Sequence, residues 1–494
     1  MIYLFSAFFC GLAVMATEMS AGRLMAPYFG SSLFVWTNVI GVIMAALSAG
    51  YYFGGKISDK RPERKLYFAT ITFVGLWISA IPFAAHFLLP FFAGGFSNLA
   101  LSMRVGSLFA VVILFASPMF FLGVIVPFTV KLYVKNLKTL GAVSGYISMI
   151  STFGSLVGTF LPAFVFLPIF GTMKTFILIG TVLLLLAAIG LRKILVLILV
   201  FVSAATFFIA PTVFASAQMI ASEESPYGFV FVTEDASGVR RLHIDNSVGT
   251  QSIYDPKNPI PDEQYYYGYF GVLPAINDAK TVLILGHGAG TFTRIFKEYY
   301  PALAITGVEI DSAVTEMAER YMGLKSADAQ IVHADARSFL EGTPQKYDLI
   351  LVDAYHLAAL PPHLATAEFF ALCKEHLSMG GILALNVAAM DGPFLSAVEN
   401  SVAVNFAGMG GRVFELQIPG SFNVMVVAGE GEGVFFVDDF LSKVPSALLE
   451  RANAAMENSR AVFYDSGAEI FTDDKLSRVE ILDEEMFFEL LERF

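Results

Sequence analysis

The chain has 494 residues, 56% of them hydrophobic and 15% charged; a soluble chain carries roughly a quarter charged residues, so a disordered chain and a purely soluble enzyme are both excluded. Two cysteines, Cys10 and Cys373, exclude a disulfide framework and any multi-cysteine zinc site. The net charge of −12 divides sharply, with 13 Lys and Arg against 3 Asp and Glu in residues 1–214 and 18 against 40 in residues 215–494; so acidic a second half argues against nucleic acid as a partner, because phosphate contacts need cations.

A bilayer core requires about 20 apolar residues per helix. Seven stretches qualify, at 2–26, 33–53, 66–90, 104–130, 142–170, 173–191 and 194–214. Lys56, Lys60, Arg61, Arg64 and Lys65 follow the second stretch. Lys131, Lys135 and Lys138 follow the fourth, and Arg192 and Lys193 separate the last two. Basic loops face the cytoplasm, so the N-terminus lies inside and an odd number of spans places residue 215 onward outside. One span more or fewer reverses that side, and the last stretch also has the texture of an export signal. The sequence leaves both sides open.

Glu18 is an ionisable residue within the first stretch, which marks either a functional site or a bond to a neighbouring helix. Arg23, five residues on, does not share its face. The loop GKISDKRPERK is similar to the loop between the second and third helices of major facilitator transporters, with Pro62 where those have glycine. Seven spans do not supply two six-helix halves, and a charged turn that fixes topology is an equal reading.

Beyond Phe214 the texture changes. ASAQMIASEESPYG reads as a polar linker, and FVFVTE and RRLHID as strands of a small β-element. TVLILG (281–286) is a continuous apolar run, as in a buried parallel strand. HGAG follows at once, and TFTRIFKEYY has helical periodicity. A glycine turn from strand to helix lets a ligand approach backbone N–H groups. AITGVEID ends in Glu309 and Asp311, about 20 residues after the glycines, where an acid suits a ribose diol. QIVHADARSFL is a further strand, with Asp335 and Ala336 at its end. KYDLILVDAYH is another, with Asp353 at its tip. HLATAEFFALCKEHL is helical, GGILALNV is a turn and strand, and RVFELQIPGSFNVMVVAG makes two closing strands. This βα series predicts a doubly wound sheet with ligands beyond the carboxyl ends of its strands.

Residues 215–494 resemble the spermidine synthase family of aminopropyltransferases, a branch of the class I S-adenosylmethionine methyltransferase fold. The motifs that carry the resemblance run in order over about 240 residues: LHIDNSVGTQSIYDP, DEQYYYGYFGVLP, VLILGHGAGT, GVEID, HADARSFL, YDLILVDAY, LPPHLATAEFF and FTDDKLSRVE. The whole chain resembles bacterial membrane-fused members with a transporter-like front segment. The expected architecture is a multi-span α-helical membrane domain (1–214), a linker and small β-element (215–278), an α/β Rossmann-like nucleoside-binding catalytic domain (279–430) and an acidic C-terminal extension (431–494).

The resemblance implies roles. Gly286, Gly288 and Gly290 form the loop under the methionyl part of the nucleoside, and Glu309 holds the ribose hydroxyls. Asp335 with the Ala336 backbone reads the adenine edge, Gln251 and Tyr266 close over the nucleoside and amine, and Asp353 orients and deprotonates the attacking amine. The implied co-substrate is decarboxylated S-adenosylmethionine or S-adenosylmethionine, with no metal. The implied partners are a small amine or polyamine, the lipid bilayer of a bacterial inner membrane, and further copies in a homo-oligomer.

Three positions depart from the family. Ala289 stands where the synthases have the aspartate that holds the amine of the decarboxylated nucleoside, and leaves room for the carboxylate of the intact one. His356 replaces the second loop aspartate and serves as a base or donor, not as a fixed anion. Tyr267 replaces glutamine or histidine. Three functions therefore stay open: an aminopropyl- or related transferase, another S-adenosylmethionine-dependent enzyme such as a methyltransferase, lyase or cyclase, and a non-enzymatic transporter or sensor of polyamine or nucleoside. His287 is expected to face solvent, whereas His333 and Cys373 are expected in the core.

Overall fold

The computed structural model describes residues 1–494 other than 31, 95–101, 215, 217, 246–248, 262–264, 356–359, 390, 407–410, 431–439 and 493–494. The chain forms two compact units: Met1–Ser216 with Glu224–Phe229, and Ala217–Glu223 with Val230–Phe494.

Among the described residues of the first unit, five helices are long and apolar enough to cross a membrane: Ile2–Phe29, Leu33–Lys60, Arg64–Gly94, Arg104–Tyr133 and Leu140–Leu191. A shorter apolar helix covers Ile194–Ile209. The fifth, of 52 residues, joins two of the seven apolar stretches, and its backbone breaks at Gly171, where φ is 78° and ψ 170°. Small residues let long apolar helices approach closely. A Cβ on Gly154 would lie 2.0 Å from the Phe8 carbonyl oxygen, and one on Gly50 would lie 2.1 Å from that of Phe120.

Two contacts gather the basic loops at one end of this bundle. Lys131 Nζ pairs with Asp59 Oδ1 at 2.7 Å, and Arg64 Nη2 donates to the Gly190 carbonyl at 3.0 Å. Arg23 donates to the carbonyls of Ser225 and Pro226 rather than pairing with Glu18.

The second unit holds two sheets. The smaller orders β1 (Met219–Glu224), β2 (Phe229–Glu234), β3 (Arg240–Ile244) and β4 (Ser252–Tyr254) in sequence. The stretch read as a polar linker thus contains a strand, because edge pairing with β2 satisfies its backbone despite a polar sequence.

The larger sheet contains β5 (Thr281–Leu285), β6 (Ala304–Glu309), β7 (Gln330–His333), β8 (Tyr347–Val352), β9 (Leu377–Ala388), β10 (Gly411–Gln417), β11 (Asn423–Glu430) and β12 (Ser459–Val462). Their spatial order is β12-β10-β11-β9-β8-β5-β6-β7. Strands β5 to β9 pair in parallel, while β11 runs antiparallel to both β9 and β10. This is the Rossmann-like sheet of the class I methyltransferase fold. Both faces are covered, so β5 is apolar from Val282 to Leu285: Leu283 and Leu285 enter one core cluster, Val282 and Ile284 another. The chain winds from β5 through β6 to β7, then returns to lay β8 on the other side of β5. That reversal opens a crevice at the carboxyl ends of β5 and β8.

Candidate active site

The glycine loop leaves β5 at the crevice. Gly286, Gly288 and Gly290 all have positive φ, at 86°, 55° and 76°. At Gly286 a side chain is also sterically barred, since a Cβ would lie 2.5 Å from both Ala354 Cα and the Asp353 carbonyl oxygen. The tips of β5 and β8 touch here, and Asp353 N–H donates to the Leu285 carbonyl at 2.8 Å.

Glu309, at the end of β6, grips the loop from the other side. Its Oε2 accepts from Gly288 N–H at 2.8 Å and its Oε1 from Asp311 N–H at 3.1 Å. Burial raises its carboxyl pKa, against the pull of those amides. Ser252 on β4 accepts from Ala289 N–H at 2.9 Å. Arg294 backs the loop, donating to the carbonyls of Ala289 at 2.6 Å and Ile253 at 2.5 Å, and lies over the Tyr254 ring. Burial draws its guanidinium down to about 10.

Asp335 follows β7 and caps the helix Ala336–Gly342. Its Oδ1 accepts from Ser338 N–H at 2.9 Å, and its Oδ2 lies 2.9 Å from His363 Nε2. Burial alone would raise this carboxyl, but the Ser338 amide and His363 outweigh it and hold it below the usual range. Ala336 is buried in the core cluster beneath.

Asp353 sits at the tip of β8. Its Oδ1 accepts from Asn386 Nδ2 at 2.6 Å and its Oδ2 from the Tyr266 hydroxyl at 2.8 Å. Burial pushes the carboxyl up to about 7, although both hydrogen bonds pull it down. Asn386 Oδ1 in turn accepts from Asn423 Nδ2 at 3.0 Å, and the Tyr355 hydroxyl donates to the Asn386 carbonyl at 2.8 Å. The Tyr266 ring packs at a tilt on Tyr267, with centroids 4.2 Å apart, and on Phe292, and meets Phe270 edge-on. Tyr267 is fully buried and donates to the Gln251 carbonyl at 3.0 Å.

Ten positions were singled out in the sequence. The structure links Gly286, Gly288, Gly290, Glu309, Asp353 and Tyr266 around one crevice. Asp335 and Ala336 adjoin it one strand over, with Ala334 N–H bonded to the Glu309 carbonyl at 3.2 Å. Gln251 meets the aromatic group through its backbone. His356 lies outside the described residues.

Three expectations are corrected. His287 does not face solvent: it is buried, 2.8 Å from Thr293 Oγ1, and a Cβ on Gly307 would strike its ring at 2.4 Å. Burial pulls it down to about 4, which keeps it neutral. His333 is exposed on β7, the last strand in the order among the described residues, and is bonded to Thr315. Ala289 does not open onto free space; it is fully buried among Val230, Val232 and Leu242 of the small sheet. Cys373 is in the core as expected. Sequence reasoning missed Asn386, Asn423, Tyr355, Arg294, Ser252 and His363. Only Asn386 carried a signal, as a polar residue inside the apolar run ILALNV.

A doubly wound sheet with a glycine loop, two acids at successive strand ends and a buried carboxylate at the switch point defines a nucleoside-binding enzyme class. A family model described as the spermine/spermidine synthase domain matches residues 270–398. A polyamine aminopropyltransferase of Chromobacterium violaceum is 30% identical over 203 residues, covering 40% of this chain and 75% of that protein. A probable polyamine aminopropyl transferase of Bifidobacterium longum is 36% identical over 162 residues, covering 32% of this chain and 36% of that protein. The chain spans 46% of a Vibrio vulnificus polyamine aminopropyltransferase, at 32% identity. The crystal structure of a probable spermidine synthase from Corynebacterium glutamicum overlays with a TM-score of 0.41 and 21% identity, covering 53% of this chain and 97% of that one. The chain belongs to the polyamine aminopropyltransferase family.

Proposed function

We propose that the second unit transfers an aminopropyl group from decarboxylated S-adenosylmethionine to a small amine and releases methylthioadenosine, in a chain held in the membrane by its first unit. The observation that carries this reading is the Asp353 carboxylate, fixed between Tyr266 and Asn386 at the tip of β8, on a backbone that abuts the glycine loop.

An alkylammonium has a pKa of about 10.4, so it must lose a proton before it attacks carbon. Asp353 binds the cation, accepts that proton as carboxylate and leaves the nitrogen lone pair facing the donor. The new C–N bond forms as the C–S bond breaks, and its electron pair neutralises the sulfonium. A carboxyl near 7 is matched to this task, because the group is ionised for much of the time yet basic enough to take the proton. Glu309 holds the ribose hydroxyls with its remaining lone pairs, and Asp335 meets the adenine amino group.

A second reading replaces the decarboxylated donor with intact S-adenosylmethionine. It is favoured by Ala289, which supplies no acid for the donor's amine. Detergent-purified protein given each donor and a panel of di- and polyamines decides between them. Methylthioadenosine formed only with the decarboxylated donor supports the first reading; turnover of only the intact donor moves the protein to the second.

A further inference from the structure

Two sequence motifs have no part in the mechanism above, LPPHLATAEFF and FTDDKLSRVE, and the structure brings both to the adenine side of the crevice. His363, from the first, places Nε2 2.9 Å from Asp335 Oδ2. Facing a carboxylate oxygen, that ring nitrogen carries the proton. Asp473, from the second, takes Arg337 in a two-point pair: Nη1 to Oδ1 at 2.7 Å and Nη2 to Oδ2 at 2.5 Å. The same Arg337 Nη1 donates to the His363 carbonyl at 3.3 Å, and Thr366 Oγ1 donates to Asp473 at 2.8 Å. Arg337 is the second residue of the helix that Asp335 caps. The imidazole is therefore fastened at its backbone by the arginine and directed by its ring at the carboxylate.

We propose that His363 is a positioning residue for nucleobase recognition, fixing the Asp335 carboxylate so that a lone pair of Oδ2 faces the exocyclic amino group of the adenine. The inference rests on the nucleoside reading of this crevice. With Oδ1 committed to Ser338 N–H, the plane of the carboxylate is set by what happens at Oδ2. An oxygen that accepts from His363 retains a second lone pair for one more donor. A 6-amino purine supplies that donor, whereas a 6-oxo purine presents an acceptor and is repelled. His363 thereby acts on base identity and not on the transfer step at Asp353.

The test is calorimetric titration of the 494-residue chain in detergent with methylthioadenosine and methylthioinosine, which differ in the 6-substituent and in the hydrogen that N1 of the 6-oxo base carries. The wild type is expected to prefer methylthioadenosine. His363→Ala should weaken methylthioadenosine about tenfold, the scale of one charge-assisted hydrogen bond, and leave methylthioinosine unchanged. His363→Gln, which keeps an N–H donor, should recover most of the preference. Turnover at saturating donor should be retained in both variants while KM for the donor rises in the alanine variant. Equal weakening of both nucleosides, or no change in either, would overturn the proposal. A wild type that binds neither nucleoside would overturn the reading beneath it.

Discussion

Asn386 donates Nδ2 to Asp353 Oδ1 at 2.6 Å from the neighbouring strand, β9, and so holds one face of the carboxylate while Tyr266 holds the other. The pair spans 33 residues of sequence and sits where the sheet reverses its winding. It gives the carboxylate a fixed orientation at a point where burial raises its proton affinity.

Asp353→Asn keeps the shape and the Tyr266 contact but removes the proton acceptor. Turnover should fall by about 10²- to 10⁴-fold, the usual contribution of a positioned general base. Methylthioadenosine affinity should change by less than about threefold, because the proposed mechanism turns Asp353 toward the amine (a change of ~0.6 kcal/mol). Steady-state kinetics and calorimetry on the same preparation check both.

The pH dependence follows from the raised carboxyl. Asp353 must be ionised to act, so activity should rise with pH through a midpoint near 7. Stability should move the other way. The folded carboxyl titrates near 7 and the unfolded one near about 4, so the folded state holds an extra proton across that window and loses stability as pH rises through it. Thermal unfolding from pH 4.5 to 8 should show this decline flattened in Asp353→Asn; identical profiles for the two proteins would contradict it.

Asn386→Ala removes a donor that favours the ionised carboxylate. The midpoint of the activity profile should move upward by about one pH unit, since a hydrogen bond to a charged group is worth ~1.5–3 kcal/mol and one pKa unit is ~1.4 kcal/mol. Activity at pH 8.5 should recover toward the wild-type level, an outcome that a simple packing defect does not produce.

Gly286→Ala meets two barriers at once, a φ of 86° and backbone atoms 2.5 Å from the new Cβ. Destabilisation of at least about 2 kcal/mol is expected, with loss of nucleoside binding as the tips of β5 and β8 part. Gly342, which has open space around its Cβ direction, is the control position for the same substitution.

Lys60→Cys and Lys138→Cys test the orientation of the first unit. Both native cysteines are buried, so background labelling is low. Positive loops face the cytoplasm, and a membrane-impermeant maleimide should label both variants in inside-out vesicles and neither in intact cells. Labelling in intact cells would reverse the orientation.

The glycine loop, Glu309, Asp335 and Asp353 were legible because each lies at the end of a short apolar run, and a strand tip is fixed by its own residues. The apolar stretches were legible for the same kind of reason, since the length and hydropathy of a helix are local properties. Their division was legible as well: residues 142–170 and 173–191 are parted at Gly171, where one glycine with positive φ breaks the helical backbone.

What stayed hidden depends on contacts between distant residues. His287 reads as a loop histidine, yet the missing side chain of Gly307 opens a buried slot for its ring. Ala289 reads as room for the carboxylate of the intact donor, yet the small sheet fills the space around it. Asn423 and His363 gave no local sign of proximity to Asp353 and Asp335, because both are brought there by chain reversals. By itself the sequence determined which segments are apolar, where the strands end and which acids stand at their tips. The tertiary structure alone decided which groups hold those acids in place, because orientation and proton affinity are set by the neighbours of a carboxylate in space and not by its neighbours in the chain.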